Sequence, residues 1–223
     1  MRVIWSTLLG TTLLASCASG VGGQSGIYSA YVPPKEGSLL TYMAYADGEA
    51  DMEVKQLVVA TGADYTLYAN ISEYGDPPQQ EDYFIEYSGL YWHVCGDMAP
   101  SSAERRALQQ MWPISENDST IVEGTSLTET NVPTEVKIVS VGEFDSEEFG
   151  LQPIFKVRSS FDTPETTVFA PQMSVAMRID WGDWGSENYA GNDQLKSISE
   201  DAEGQYNRYL DYGKSQCLPA ELR

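Results

Sequence analysis

The chain has 223 residues, of which 42% are hydrophobic and 11% aromatic, and this is enough for one sizeable core in a single domain. Its 13 Lys and Arg residues against 33 Asp and Glu residues give a formal net charge of −20. Basic clusters are no longer than pairs such as Arg105-Arg106, and this disfavours nucleic acid or an anionic lipid surface as a partner. The acidity mainly indicates a soluble surface that resists nonspecific association, with cation binding as the alternative.

Residues 1–16 have the pattern of an export signal. Arg2 is followed by an apolar stretch, residues 3–15, that only Ser, Thr and Gly interrupt. This stretch is too short to cross a ~30 Å hydrocarbon layer, for which a helix needs about 20 residues. The sequence therefore predicts a signal peptide. An ordinary secretory signal and an uncleaved anchor are the alternatives.

The segment Leu14-Ala15-Ser16-Cys17 resembles the lipobox of bacterial lipoproteins, in which an aliphatic residue and two small residues precede a cysteine. The resemblance implies that the Cys17 thiol is acylated, that the signal is cut before it, and that the new amino terminus is acylated too. Two or more acyl chains give stable membrane anchoring. Ala18 is not the Asp that resembles an inner-membrane retention signal, so the outer membrane, facing the periplasm, is expected in a two-membrane source.

The predicted domain order follows from this assignment. After a signal peptide at 1–16, residues 17–27 form a Gly- and Ser-rich tether that starts at the lipidated Cys17. An antiparallel β domain is expected over 28–200, followed by a C-terminal tail over 201–223.

From Tyr28 onward the hydrophobic pattern repeatedly has the two-residue period of half-buried strands. Turn residues such as Asp47-Gly48 and Ser88-Gly89 separate neighbouring segments. We therefore expect an all-β or β-rich α+β fold, built as a curved antiparallel sheet or a partial or closed barrel with one short helix. The predicted strands are 38–46, 52–60, 64–71, 82–88, 90–94, 134–141, 153–161, 166–170, 174–181 and 194–199.

One helix is clearly predicted, over residues 101–111. Ser101 or Ser102 is positioned to cap it, and Glu104 stands three residues after Ser101, as a capping box requires. Proline disfavours helical geometry in the residue before it, so Trp112-Pro113 ends the helix. A second short helix is expected around 202–210.

Three elements of the chain resemble a loosely defined group of uncharacterised bacterial envelope lipoproteins. They are a WPL-type element at Trp112-Pro113-Ile114 followed by a Gly-terminated strand, a strand pair with a Gly-x-Phe turn over 135–157, and an aromatic-Ala-Pro strand at Phe169-Ala170-Pro171. The sequence departs from the group at Ser115 and at Met173-Ser174. The resemblance, over about residues 30–200, implies a curved antiparallel sheet distantly similar to lipoprotein carriers, with no known reaction.

Candidate catalytic residues are scarce. His93 is the chain's single histidine and alternates with aromatic and aliphatic neighbours, which is typical of an ordinary strand residue. The chain has neither the G-x-S-x-G motif of esterases nor a P-loop. No catalytic residue, cofactor or metal ligand is predicted.

An acidic segment over 180–193 is the one candidate for Ca²⁺ binding. Its oxygen-bearing side chains are Asp180, Asp183, Glu187, Asn188, Asn192 and Asp193. An EF-hand loop needs ligands at alternate positions, and this spacing does not supply them. A long hairpin tip with solvated carboxylates is the preferred interpretation.

Once Cys17 is assigned to the lipid, Cys95 and Cys217 are left as an even pair in an oxidising compartment. We predict a disulfide between them, with two buried thiols as the alternative. An oxidoreductase is not favoured, because there is neither a C-x-x-C motif nor a basic neighbour.

The sequence thus predicts a membrane-anchored envelope lipoprotein that binds an apolar ligand or an envelope protein, or serves as a scaffold. Its 14 Tyr and 5 Trp residues supply amphipathic contact surface. A structural component without a ligand is the alternative, and a hydrolase that uses carboxylates is less favoured.

Overall fold

The alternating apolar pattern produces a sheet that dominates the computed structural model. The structure describes residues 29–46, 48–72, 74–125, 130–160, 164–181, 191–200, 204–219 and 222. Cys17, the tether and most of the acidic 180–193 segment lie outside these residues.

The described residues contain eleven strands, two α-helices and a 3-10 turn at Gln80–Asp82. In chain order the elements are β1 (Leu39–Ala46), β2 (Glu49–Thr61), β3 (Tyr65–Ile71), β4 (Tyr83–Tyr87), β5 (Tyr91–Val94), α1 (Ser102–Gln110), β6 (Ser119–Thr125), β7 (Thr130–Ser146), β8 (Gly150–Ser160), β9 (Pro164–Ala170), β10 (Val175–Trp181), β11 (Gly191–Ser199) and α2 (Asn207–Gln216). Neither helix is long and apolar enough to cross a bilayer within the residues described.

All eleven strands belong to one antiparallel sheet with the order β5-β4-β3-β2-β1-β11-β10-β9-β8-β7-β6. Two consecutive meanders, β1 to β5 and β6 to β11, therefore join where β1 pairs with β11. The edge strands β5 and β6 are not paired with each other, so the sheet stays open. This confirms the predicted β-rich class, and it selects the open sheet over the closed barrel.

The sheet is strongly curved. Phe84 of β4 and Thr167 of β9 line the same cavity although six strand spacings separate their strands. At ~4.8 Å per spacing, a flat sheet would hold them about 29 Å apart. Curvature also brings the Tyr42 hydroxyl of β1 to the Ala176 carbonyl of β10, to which it donates a hydrogen bond of 3.0 Å.

The predicted capping box is present at the start of α1. The Glu104 amide donates to the Ser101 hydroxyl, and the Ser101 amide donates to the Glu104 carboxylate at 2.7 Å. The same carboxylate accepts from the Glu123 amide of β6 at 2.6 Å, and Arg105 forms an ion pair with Asp64 at 3.4 Å. These contacts fix α1 in the connection between the two edge strands.

Trp112, directly after α1, contacts both halves of the sheet. Its indole Nε1 donates to the Ser88 carbonyl at 3.0 Å, and its ring meets Phe155 edge-on at 5.6 Å. The predicted Ser88-Gly89 turn lies beside it, with φ of 55° and 69°. A Cβ on Gly89 would lie 2.9 Å from the Phe169 ring, so both the turn and the close approach require glycine.

The second helix begins at Asn207, later than the predicted 202–210, and runs to Gln216. Gly213 is a poor helix former, and packing on the sheet outweighs its local preference. A Cβ at Gly213 would come within 2.6 Å of the Tyr83 ring, so glycine permits this close contact. The Tyr83 hydroxyl donates to the Tyr209 carbonyl at 2.9 Å, and Tyr83 stacks on Tyr212 with ring centroids 5.4 Å apart.

The predicted disulfide between Cys95 and Cys217 is present, with a Cα to Cα distance of 5.3 Å. Both cysteines are buried. The bond attaches the end of α2 to the chain just after β5, so the helix is held over the outer face of β2 to β4.

We expect the double substitution Cys95→Ser/Cys217→Ser to lower the free energy of unfolding by about 2–5 kcal/mol, because the unfolded chain regains the freedom of an open loop. The loop spans 122 residue steps. Urea denaturation of the oxidised protein, the reduced protein and the double variant measures the loss. Equal stability of oxidised and reduced protein would contradict this prediction, as would thiol labelling of both cysteines in the unreduced, denatured chain.

Candidate ligand-binding cavity

Strand register places a continuous set of side chains on the inner face of the curved sheet. Tyr68 of β3 is opposite Phe84 of β4, which is opposite Val94 of β5. On the other side of β1, Asp193 of β11 is opposite Ile179 of β10. These strands bound a cavity of about 300 Å³. Its volume is at the lower end of the range for small-molecule pockets.

Aromatic residues form much of the cavity wall: Tyr42, Tyr68, Phe84, Trp92 and Trp181. Phe84 stacks on Tyr68 with centroids 5.1 Å apart and meets Trp92 edge-on at 5.9 Å. The Trp92 side chain is 38% exposed, which is unusual for so large an apolar group. The wall thus offers a continuous aromatic surface from β3 to β5.

Three carboxyl groups also line the cavity, those of Glu81, Glu86 and Asp193. Glu86 Oε1 and Asp193 Oδ1 are buried and have no hydrogen-bond partner among the described residues. No Lys, Arg or His is found among the described residues of the wall. Buried polar atoms are ordinarily paired, so these two oxygens need a separate explanation.

Burial raises the pKa of Glu86 from 4.5 to about 8, and a hydrogen bond with Tyr31 opposes that rise. Tyr31 lies ahead of β1, and its hydroxyl is 2.7 Å from Thr66 Oγ1. Glu86 in turn raises the pKa values of Tyr31, Tyr42 and Tyr68, after the larger effect of burial. Glu86 therefore lies within electrostatic range of three tyrosine hydroxyls.

The position of Asp193 contradicts part of the sequence interpretation, which placed this residue among solvated carboxylates at a hairpin tip. It lies within β11 and faces the cavity. Burial raises its pKa from 3.8 to about 6, although a hydrogen bond with Trp181 lowers it. At the other end of the segment, Asp180 pairs with Arg178 at 2.5 Å. Residues 182–190 are outside the described part of the chain.

His93 lies on the opposite face of β5 from the cavity. It is paired in register with Ile85, a residue of the outer core, and stacks on Tyr87 at 5.6 Å. Burial lowers its pKa from 6.5 to about 4, so the imidazole is neutral at physiological pH. This geometry is that of a core residue. Among the described residues, no three His, Cys, Asp or Glu side chains are grouped as a metal site requires.

A second hollow, of about 420 Å³, lies beside the start of α2 and includes Lys55 and Arg208 in its wall. Lys55 pairs with Glu53 at 2.8 Å, and Arg208 donates to the Gly75 carbonyl at 3.1 Å. Its basic groups are thus engaged with the protein. The cavity of the inner face is the better candidate site, because its wall combines aromatic side chains with carboxyl groups that no described basic side chain of the wall neutralises.

Sequence reasoning did not single out Glu86, although the segment DYFIEYS carries a usable signal. Tyr83, Ile85 and Tyr87 occupy one face of the strand, and Phe84 starts the other. A strand that is apolar on both faces is buried on both, so the glutamate at position 86 is the exception. Glu86 and Asp193 line the same cavity because the sheet is curved. The sequence of a single strand does not predict that curvature.

Fold and cavity together define an open, curved antiparallel β-sheet protein whose inner face has a cavity lined by aromatic and acidic residues. No protein-family model matches the chain, and no curated protein matches it. A solved structure described as a "putative lipoprotein" from Parabacteroides distasonis ATCC 8503 is 12% identical, with 77% of this chain and 99% of that chain covered and a TM-score of 0.38. Similarity at this level carries no argument about function.

The raised pKa of Glu86 predicts a specific dependence of stability on pH. The folded state favours the protonated acid, so this stabilisation is complete below pH 4.5 and is lost as the pH rises to about 8. Glu86→Gln imitates the protonated form at every pH. We therefore expect the variant to gain stability over the wild type across this window, by at most about 1.4 kcal/mol per pH unit.

Urea denaturation of both proteins between pH 5 and 9 measures this difference. His93 has the opposite effect on stability between pH 4 and 6.5, but it is present in both proteins and cancels. Asp51→Asn removes an exposed carboxylate of β2 and should give no such trend. A constant difference between wild type and Glu86→Gln would contradict the assignment.

Proposed function

We propose that this protein is a lipid-anchored lipoprotein of a bacterial cell envelope that binds a small ligand in the cavity of its curved sheet, without catalysing a reaction. The observation that carries the binding role is the cavity itself, whose wall combines aromatic side chains with the carboxyl groups of Glu81, Glu86 and Asp193. A concave, largely apolar wall with a few polar groups is typical of sites for small molecules.

Sequence features support the location. A short apolar segment, a lipobox-like sequence ending in Cys17 and a Gly- and Ser-rich stretch follow one another at the start of the chain. The Cys95–Cys217 disulfide agrees with export, because such bonds persist in oxidising compartments. Ala18 favours the periplasmic side of an outer membrane where the source has two membranes.

Binding is favoured over catalysis by the composition of the cavity wall. His93, the chain's one histidine, faces away from the cavity and is neutral. The wall is mainly aromatic, and such surfaces provide affinity through stacking and burial of apolar area. A structural component without a ligand is the alternative, and the mass measurement described below tests it.

The anchor is tested with Cys17→Ser. We expect this variant to lose incorporation of a fatty-acid probe and to leave the membrane fraction or remain unprocessed, because the acylated thiol is absent. Cys95→Ser/Cys217→Ser is the matched control, since it replaces the two cysteines of the disulfide and keeps Cys17. Equal labelling of Cys17→Ser and wild type, or a mature mass beginning at another residue, would contradict the anchor.

The binding role is tested by native mass spectrometry of the detergent-extracted protein. We expect a co-purifying small molecule on the wild type and its loss from Thr167→Phe, because Thr167 lines the cavity and the larger ring fills it. Ser197→Phe is the control, since Ser197 is exposed on β11. Thermal denaturation establishes that both variants are folded. A clean apo mass for the wild type supports the structural alternative.

A further inference from the structure

We propose that the ligand of this cavity carries a positively charged amine next to an aromatic or aliphatic body, and that Glu86 and Asp193 bind the amine. This inference rests on the proposed binding function and gives it a ligand class.

The first argument is the balance of charge. Glu81, Glu86 and Asp193 line the cavity, and no basic side chain is found among the wall residues that the structure describes. An anionic ligand would be repelled by these carboxyl groups, and a ligand without hydrogen-bond donors would displace their water and supply no donor in its place. An ammonium group supplies both a positive charge and three hydrogen-bond donors, so it satisfies several acceptors at once.

The second argument is the position of the two carboxyl groups. Glu86 projects from β4 and Asp193 from β11, and β3, β2 and β1 lie between them in the sheet. Both raise the pKa of the Tyr42 hydroxyl, after the larger effect of burial, so both lie within electrostatic range of it. Both residues also line the one cavity, so their carboxyl groups belong to the wall of the same site.

The third argument is the aromatic wall. Trp92 and Trp181 line the same cavity as the two carboxyl groups. A cation near an indole face is attracted by the negative face of the ring, and the ring also binds the apolar part of a ligand. Aromatic rings combined with carboxylates form the usual recognition site for organic ammonium groups. The chain's net charge of −20 adds attraction at long range.

The experiment compares three probes of nearly the same size: 2-phenylethylamine, 2-phenylethanol and 3-phenylpropanoate. Each is titrated into the full detergent-extracted protein, stripped of bound ligand, at pH 8.5, and binding is followed by calorimetry and tryptophan fluorescence. We expect the amine to bind at least about tenfold more tightly than the alcohol, a difference of about 1.4 kcal/mol, and the acid not to bind.

Variants assign the effect to the two carboxyl groups. Glu86→Gln and Asp193→Asn should each weaken amine binding about tenfold or more and leave alcohol binding nearly unchanged. Asp51→Asn, which removes the same charge from an exposed position, should bind like the wild type. Thermal denaturation checks that each variant is folded. Because the two carboxyl variants are independent, the test can still be made if one of them does not fold.

Calorimetry also provides a readout other than affinity. The amine should bind the ionised form of Glu86, which is largely protonated in the free protein at pH 7. Binding at pH 7 should therefore release protons, and the heat should change with the ionisation enthalpy of the buffer. This dependence should disappear in Glu86→Gln.

The outcomes separate this inference from the proposed function. Equal binding of amine and alcohol, or amine binding that neither carboxyl variant weakens, overturns the amine assignment and leaves a ligand-binding cavity. Absence of binding by all three probes also overturns it. If the native mass of the wild type is a clean apo mass as well, the binding function fails with it.

Discussion

The pairing of β1 with β11 is the interaction on which the rest of the structure depends. Eight residues of β1, from Leu39 to Ala46, pair with residues of β11 that are about 150 positions later in the chain. Without this ladder the two meanders would be separate sheets, each with an additional open edge. With it, β4 and β9 belong to one surface, and the curvature of that surface creates the cavity.

The two faces of the sheet are covered in different ways. The outer face of β2 to β4 is covered by α2, which the Cys95–Cys217 disulfide and the close contact at Gly213 hold in place. The inner face is covered by the curvature of the sheet and, at one end, by Tyr31 and Trp112, whose ring centroids are 6.2 Å apart. The remaining part of the inner face is the cavity. The candidate site is thus the part of the inner face that the protein's own side chains do not fill.

Much of the fold could be predicted from local pattern. Alternation with a period of two identified ten of the eleven strands among the described residues, and the exception is β6. The spacing of Ser101 and Glu104 identified the start of α1. Both signals depend on near neighbours. The extension of α2 from the predicted end at 210 to Gln216 was not predictable in this way, because Gly213 weakens the helical signal and permits a contact with Tyr83, 130 positions earlier in the chain. The 17 residues of β7 also exceed the predicted 134–141, since pairing with β8 extends the strand through Ser146.

The candidate site was less accessible to sequence reasoning than the fold. Asp193 stands in an acidic segment whose composition suggested solvent exposure, and only its register with Ile179 turns it towards the cavity. Glu86 was recognisable as an exception in an apolar strand, but its partner across the cavity was not. The two-residue period of a strand determines on which face of the sheet each side chain lies. The distance between side chains on distant strands depends instead on how the whole sheet bends.

The position of β1 has a mechanical consequence. Residues 29–38 lead into this strand, which is bonded to β2 on one side and to β11 on the other. Tension applied to the chain ahead of β1 therefore acts along a central strand, and extracting it requires two ladders of hydrogen bonds to be sheared together. A strand at the sheet edge would instead be peeled from a single neighbour. The topology thus places a strand that is held on both sides, and not an edge strand, next to the start of the described chain.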